Sequence, residues 1–378
     1  MENRMSSESE RSAVPLFLAR DELTSLMREL QRRGYTVVGP TIRQGAIVYE
    51  PLASIDDLPR GWTDRQEAGT YRLERRTDDR YFGYVIGPQS WKQFLFPPVS
   101  TIATAVATDS GWNVQAADTD GTPRFAFLGM RACELAAVAV QDRVFIQKDY
   151  SDPTYQARRE RAFFIAVNCT QAAPTCFCTS MKTGPRCTKD FDVALTELDT
   201  GFILEIGSDR GSELASTLQL RSATAAELSD ADNGRSRAVT EQTRSLPVDE
   251  VRDVLMNNLH HPQWNDVAER CLSCTNCTMV CPTCFCSSVH EVSDLDVTQV
   301  ERRRTWDSCF NFDFSYMNGG VVRNTVSSRF RQWLTHKLAT WHDQFGSSGC
   351  VGCGRCITWC PVGIDLTAEV AAIRGEAS

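Results

Sequence analysis

The stretch Cys350-Val-Gly-Cys353-Gly-Arg-Cys356-Ile-Thr-Trp-Cys360-Pro361 repeats the spacing of an earlier one, Cys271-Leu-Ser-Cys274-Thr-Asn-Cys277-Thr-Met-Val-Cys281-Pro282. Both read C-x2-C-x2-C-x3-C-P, a run in which three thiolates hold one [4Fe-4S] cube and the fourth crosses to a second cube. Two-residue gaps let one tight turn aim successive sulfurs at neighbouring corners of a cubane. Gly352 and Gly354 permit positive φ and close backbone approach, and Pro282 and Pro361 can open the next segment because a first-turn proline loses no needed N–H. Crossed ligation assigns Cys271, Cys274, Cys277 and Cys360 to one cube, and Cys350, Cys353, Cys356 and Cys281 to the other. The two quartets are then stapled together.

Zinc is the plainer occupant of clustered cysteines, but a four-thiolate zinc site pairs two C-x2-C knuckles and has no use for a third close cysteine or a fourth before proline. Disulfides are disfavoured because nothing marks the chain for export. Sixteen cysteines in 378 residues, with 42% hydrophobic and 23% charged residues, describe an ordinary globular chain of two or three domains. A polar, acidic start over residues 1–15 reads as a disordered tail, and no long apolar run announces a membrane span. The expected compartment is the cytoplasm. A net charge of −8 argues against nucleic acid as the main partner.

Working back from the quartets, Leu23, Leu26, Met27 and Leu30 have helical spacing, and Gly34 closes that helix. Strands are expected at 35–38, 45–49, 81–86, 124–129, 162–167, 193–195 and 202–206, with a turn-rich connection at 56–69. The polar stretch 229–247 reads as the domain boundary. A helix at 248–259 leads into the second half, where 68 residues (282–349) separate the quartets and are helical around 326–341. The fold class is α+β: an N-terminal α/β domain over 16–240, then a mostly helical dicluster ferredoxin-like domain over 241–378.

Eight cysteines remain. Cys133, Cys169, Cys176, Cys178 and Cys187 lie in turns after predicted strands, where open α/β sheets place ligands. Five there exceed what packing needs, so a third metal site is expected, with Cys133, Cys169, Cys176 and Cys178 as the preferred ligands and Cys187 as the alternate. Cys284, Cys286 and Cys309 either form a further site with one non-cysteine ligand or line a cluster pocket; the second reading is preferred. The five histidines fall in no catalytic or metal spacing, and neither a phosphate-binding G-x-x-x-x-G-K-[ST] run nor a G-x-G-x-x-G helix start occurs.

The Cys350–Cys360 run with Val-Gly-Ile-Asp365, Cys281-Pro-Thr-Cys284-Phe-Cys286, Trp306-Asp-Ser-Cys309, Gly129-Met-Arg-Ala-Cys133-Glu134 and Asn168-Cys169 with Cys176-Phe-Cys178 carry a resemblance. Over most of its length the chain resembles the beta subunit of cytoplasmic NAD(P)-linked [NiFe] hydrogenase (sulfhydrogenase) and its relative, the A-type subunit of anaerobic sulfite reductase. Glu134 departs from the family's usual Asp, and Cys187 is extra to the pattern. The resemblance implies a hetero-oligomer in which this chain, holding clusters but neither flavin nor nickel, relays electrons between the small and large [NiFe] hydrogenase subunits and a flavin-containing diaphorase subunit. The alternative is service in a sulfite reductase. A rival from the residues alone is a reductase whose N-terminal half binds its own flavin or substrate.

Overall fold

The computed structural model describes residues 15–147 and 150–375; all but one residue of the expected tail lies outside them. Its largest element is an eight-stranded mixed sheet. In spatial order the strands are Leu220–Ser222, Leu16–Ala19, Gly201–Ile206, Val193–Glu197, Phe163–Val167, Phe125–Met130, Thr36–Arg43 and Ala46–Pro51. The four from Val193–Glu197 to Thr36–Arg43 run parallel, and the flanking pairs are antiparallel.

Strand period explains the two cores. Phe127, Phe164, Ala166 and Ala194 point to one face, with the helix Ala132–Phe145. Ala126, Leu128, Phe163, Ile165, Val193 and Leu195 point to the other, where Leu23, Leu26, Met27 and Leu30 of the helix Leu23–Arg32 cover them. Parallel strands covered on both faces read as continuous apolar runs, which is why these central segments were legible as strands. Gly34, at φ 80°, ends the first helix as expected.

Three local expectations need correction. The segment 56–69 contains the strand Trp62–Glu67, paired in a hairpin with Thr70–Arg75. The segment 81–86 is buried but is not a strand. Glu197 accepts the N–H groups of Tyr81 and Phe82 (2.7 Å each), Asp64 accepts that of Val85 (2.6 Å), and Arg131 donates to the carbonyls of Phe82 and Tyr84. Side chains thus satisfy the backbone groups that a neighbouring strand would otherwise take. The polar stretch 229–247 is largely helix, Ala225–Thr240, started by a capping box between Thr224 and Glu227; it looks like a linker because the helix buries only Ala231, Gly234 and Ala238.

A second, four-stranded sheet joins distant parts of the chain. Its order is Ser287–Ser293, Gln299–Trp306, Val99–Thr108, Gly111–Ala116, all antiparallel. It links segments on either side of the boundary expected near 240. The expected helix at 248–259 is Val251–Asn257, followed by Gln263–Arg270; the one near 326–341 is Val326–Thr335, a π-helical turn His336–Thr340 and Trp341–Phe345. These helices bury Trp264, Phe330, Trp333, Leu334 and Leu338 in a third core against which Cys271, Cys277, Cys350, Cys356 and Cys360 pack.

Candidate metal centres

The two quartets share one backbone design. Ser273 N–H points at Cys271 Sγ and Gly352 N–H at Cys350 Sγ, both at 3.4 Å, and Ile364 N–H points at Cys360 Sγ at 3.3 Å. Positive φ recurs two and four residues after the first cysteine: 49° and 67° at Ser273 and Thr275, 65° and 76° at Gly352 and Gly354. Each loop then enters a one-turn helix, Asn276–Met279 or Arg355–Thr358, carrying the third cysteine. Amide donors aimed at sulfur stabilise thiolate charge, as anionic cluster ligation requires.

The sulfurs gather in the crossed pattern. Cys271, Cys274, Cys277 and Cys360 line one cavity, walled by Phe310, Phe330, Trp333 and Leu366. Cys281, Cys350, Cys353 and Cys356 line a second, with Phe177, Thr283 and Lys337. Cys356 also reaches the wall of the first. Burial pushes the Cys277 and Cys356 thiols well up and that of Cys350 to about 12. Cys281 is driven the other way, by the thiol of Cys284 and then by the Lys337 ammonium. Thiols held protonated by burial give up those protons when a metal takes their place.

The third set also converges. Cys133, on the first turn of the helix after Phe125–Met130, and Cys169, just beyond Phe163–Val167, meet Cys176 and Cys178 around a cavity closed by Arg131, Gln171, Gln242 and Cys353. These are carboxyl ends of parallel strands, the expected ligand position. Cys178 Sγ contacts Gln242 Oε1 at 3.6 Å. Cys187 is not in this wall. Its N–H donates to Asn168 Oδ1 (2.7 Å), and it faces a neighbouring groove beside the helix Ala132–Phe145.

Arg355, within the second quartet, fixes the second and third cavities relative to each other. Its guanidinium donates to the carbonyls of Gly87 (2.9 Å) and Gln89 (3.0 Å) and to Glu134 Oε1 (2.5 Å), and both charged side chains are 0% exposed. Glu134 Oε2 accepts from Tyr49 Oη (2.7 Å) and Arg131 N–H (3.1 Å). The acidic residue after Cys133 is thus an anchor between the two cysteine sets. Its longer side chain relative to Asp is accommodated by this network.

Among the remaining cysteines, Cys284 lies against Cys281, and Cys286 against Cys309. Among the described residues no three Cys, His, Asp or Glu side chains converge as closely as one ion demands. A cubane asks for something different, four sulfurs at the corners of a larger core. The three cavities, each lined by at least four soft donors and dried by aromatic or apolar walls, fit that demand. Sequence reasoning missed Lys337, Arg131 and Arg355 as parts of these sites, since nothing in the pattern around them announces a buried cation.

Residues 270–364 match the family of 4Fe-4S dicluster domains, so the chain is an iron–sulfur protein of the [4Fe-4S] class. Over 262 residues it is 32% identical to the sulfhydrogenase 2 subunit beta of Pyrococcus furiosus, spanning 68% of this chain and 76% of that one. The chain belongs to the family of sulfhydrogenase beta subunits. No solved structure matches it. Among the described residues no helix is long and apolar enough to cross a membrane.

Proposed function

We propose that this chain is the electron-relay member of a hetero-oligomeric hydrogenase complex, taking electrons between [NiFe] hydrogenase subunits and a flavin-containing diaphorase subunit. Three [4Fe-4S] clusters would be held: one by Cys271, Cys274, Cys277 and Cys360, one by Cys281, Cys350, Cys353 and Cys356, and one by Cys133, Cys169, Cys176 and Cys178. When bound, such clusters supply one-electron redox chemistry.

The observation that carries this reading is adjacency. Cys356 lines both the first and second cavities, and Cys353 both the second and third. The three sites therefore stand in file, with the second in the middle. The protein's part is to hold sulfur in place, exclude water with Phe310, Phe330 and Trp333, and leave an exit: Cys274 is exposed, with Leu272 64% exposed beside it. Glu134 and Arg355, buried between the second and third cavities, neutralise each other. Sixteen free thiols suit a reducing compartment such as the cytoplasm.

Anaerobic purification of the chain with whatever it binds tests this. Nickel in the purified complex, together with rapid reduction of the iron–sulfur absorbance by NAD(P)H through a flavin protein, is the expected result. Siroheme in place of nickel would assign the chain to a sulfite reductase, and flavin bound to this chain alone would make it a reductase in its own right.

A further inference from the structure

The second cavity holds a feature that ligation does not require. Lys337, 6% exposed, sends its Nζ to Cys281 Sγ (3.2 Å), Thr283 Oγ1 (3.1 Å) and Gly349 O (3.4 Å). An ammonium has three donors and no acceptor. A lysine ammonium placed here has an acceptor for each of its donors, and Cys281 Sγ is one of them. Its place on the chain is also unusual. Lys337 lies on the one π-helical turn among the described residues, His336–Thr340, and such turns mark functional sites in otherwise regular helices. The same residue's carbonyl accepts from Gly349 N–H (2.8 Å), one residue before Cys350. It therefore ties together the two segments that supply the middle site.

The other two sites are furnished differently. The first cavity is lined by thiols, aromatic and aliphatic groups and small polar residues, with no lysine or arginine in its wall among the described residues. The third has Arg131, whose guanidinium donates to the carbonyls of Phe82 and Tyr84 and also lies against the Cys169 thiol, at one end of the file rather than its middle. At the second, Arg355 is neutralised by Glu134. The Lys337 ammonium instead spends its donors on a thiol, a hydroxyl and a carbonyl, so its charge acts on sulfur.

Adding an electron to a cubane adds negative charge to a thiolate cage that is already anionic. Burial in a dry, low-dielectric interior opposes that step, and more so at an enclosed site than at one opening to solvent. A middle centre left to burial alone would be harder to reduce than its neighbours and would block a relay. We propose that Lys337 is the positioning residue that keeps the middle [4Fe-4S] centre reducible, its ammonium on Cys281 offsetting the charge that the arriving electron brings. The inference rests on the relay reading above and adds to it the residue that levels the path.

The test is an EPR-monitored redox titration of the full chain, anaerobically loaded with iron and sulfide, with Lys337→Met, Lys337→Gln and Lys337→Arg beside the wild type. Cys281→Ser identifies which signal belongs to the middle site. The Met and Gln variants are expected to make reduction of that centre at least tenfold less favourable, a fall of about 59 mV or more in its midpoint for one electron, while the other centres keep theirs. The Arg variant is expected to restore most of the difference, which a role confined to packing would not predict. If Lys337→Met sheds iron, Lys337→Gln, which keeps neutral donors, carries the comparison. An unchanged midpoint in an iron-replete Gln variant, or an Arg variant shifted as far as the Gln variant, would overturn the assignment. A Cys281→Ser protein with the same iron content and the same signals as the wild type would sink the relay reading itself.

Discussion

The two cysteine quartets adopt the same backbone and differ in what fills it. At the two positive-φ positions the first uses Ser273 and Thr275 and the second uses Gly352 and Gly354. If conformation alone set the choice, both would carry glycine. The difference lies in what surrounds them. A Cβ on Gly352 would fall 2.6 Å from the Phe177 carbonyl oxygen and 2.7 Å from the backbone of Cys178, and one on Gly354 would fall 2.5 Å from the Thr175 carbonyl oxygen. The first quartet lies near the surface, where Leu272 and Cys274 are exposed and a side chain has room. The glycines thus report a contact: the second quartet is pressed onto the loop that carries Cys176 and Cys178, the loop of the third site.

The largest expected effect breaks that contact. Gly352→Ala combines the roughly 1–2 kcal/mol penalty of a left-handed residue with overpacking against backbone that cannot yield, about 4 kcal/mol in all. It should cost the protein the iron of the second and third sites while the first keeps its own, as read by iron per chain. Arg355→Met comes next. It leaves Glu134 charged and fully buried without its partner, a loss of about 3 kcal/mol in unfolding free energy. Asn276→Ala, at the equivalent position of the exposed quartet, should cost under about 1 kcal/mol.

A smaller effect sharpens the comparison through pH. Of the two quartets, the hairpin Trp62–Arg75 leans on the second, through Gly69 N–H to Ile357 O (3.1 Å) and Thr358 Oγ1 to Gln66 Oε1 (2.9 Å). Within it, burial raises the Asp64 carboxyl from 3.8 to about 6, against the lowering effect of the Val85 N–H and the Gln66 amide. Between about pH 4 and 6 the folded chain holds a proton there that the unfolded chain has released. Stability from this group is therefore present at the acid end and is lost as pH rises through that window. Asp64→Asn should gain about 2 kcal/mol on the wild type between pH 4 and 6 and run parallel to it above, as checked by denaturant unfolding at each pH. The smallest effect is a gain. Thr275→Gly relieves a β-branched residue at φ 67° that caps nothing with its side chain, and should stabilise the iron-loaded protein by about 1 kcal/mol.

The quartets were legible because cluster ligation forces a spacing that little else uses, and the crossed grouping followed from that spacing. The third set was legible for another reason: Cys133 and Cys169 follow segments apolar enough to be central strands, and strand ends in a parallel sheet converge. The sequence already preferred Cys133, Cys169, Cys176 and Cys178 and kept Cys187 as the alternate; the fold turns Cys187 toward a neighbouring groove. Other features left no local trace. Residues 81–86 have the composition of a strand, but the distant side chains of Asp64, Glu197 and Arg131 take their backbone groups and hold them as a loop. The pairing of Val99–Thr108 with Gln299–Trp306 joins segments almost two hundred residues apart. Lys337 sits in a helix whose apolar spacing gives no sign that a lysine turns inward; a π-helical turn puts it there, and that is a property of the backbone.

The proposed relay has three cubanes in file, with Cys356 and Cys353 in the shared walls. Iron and acid-labile sulfide per chain, measured on anaerobically loaded wild type and on Cys133→Ser/Cys169→Ser, test it most directly. Wild type is expected to hold about twelve irons and the double variant about eight, with the quartet sites intact. About eight in both proteins would remove the third centre, and zinc in place of iron would contradict the whole account.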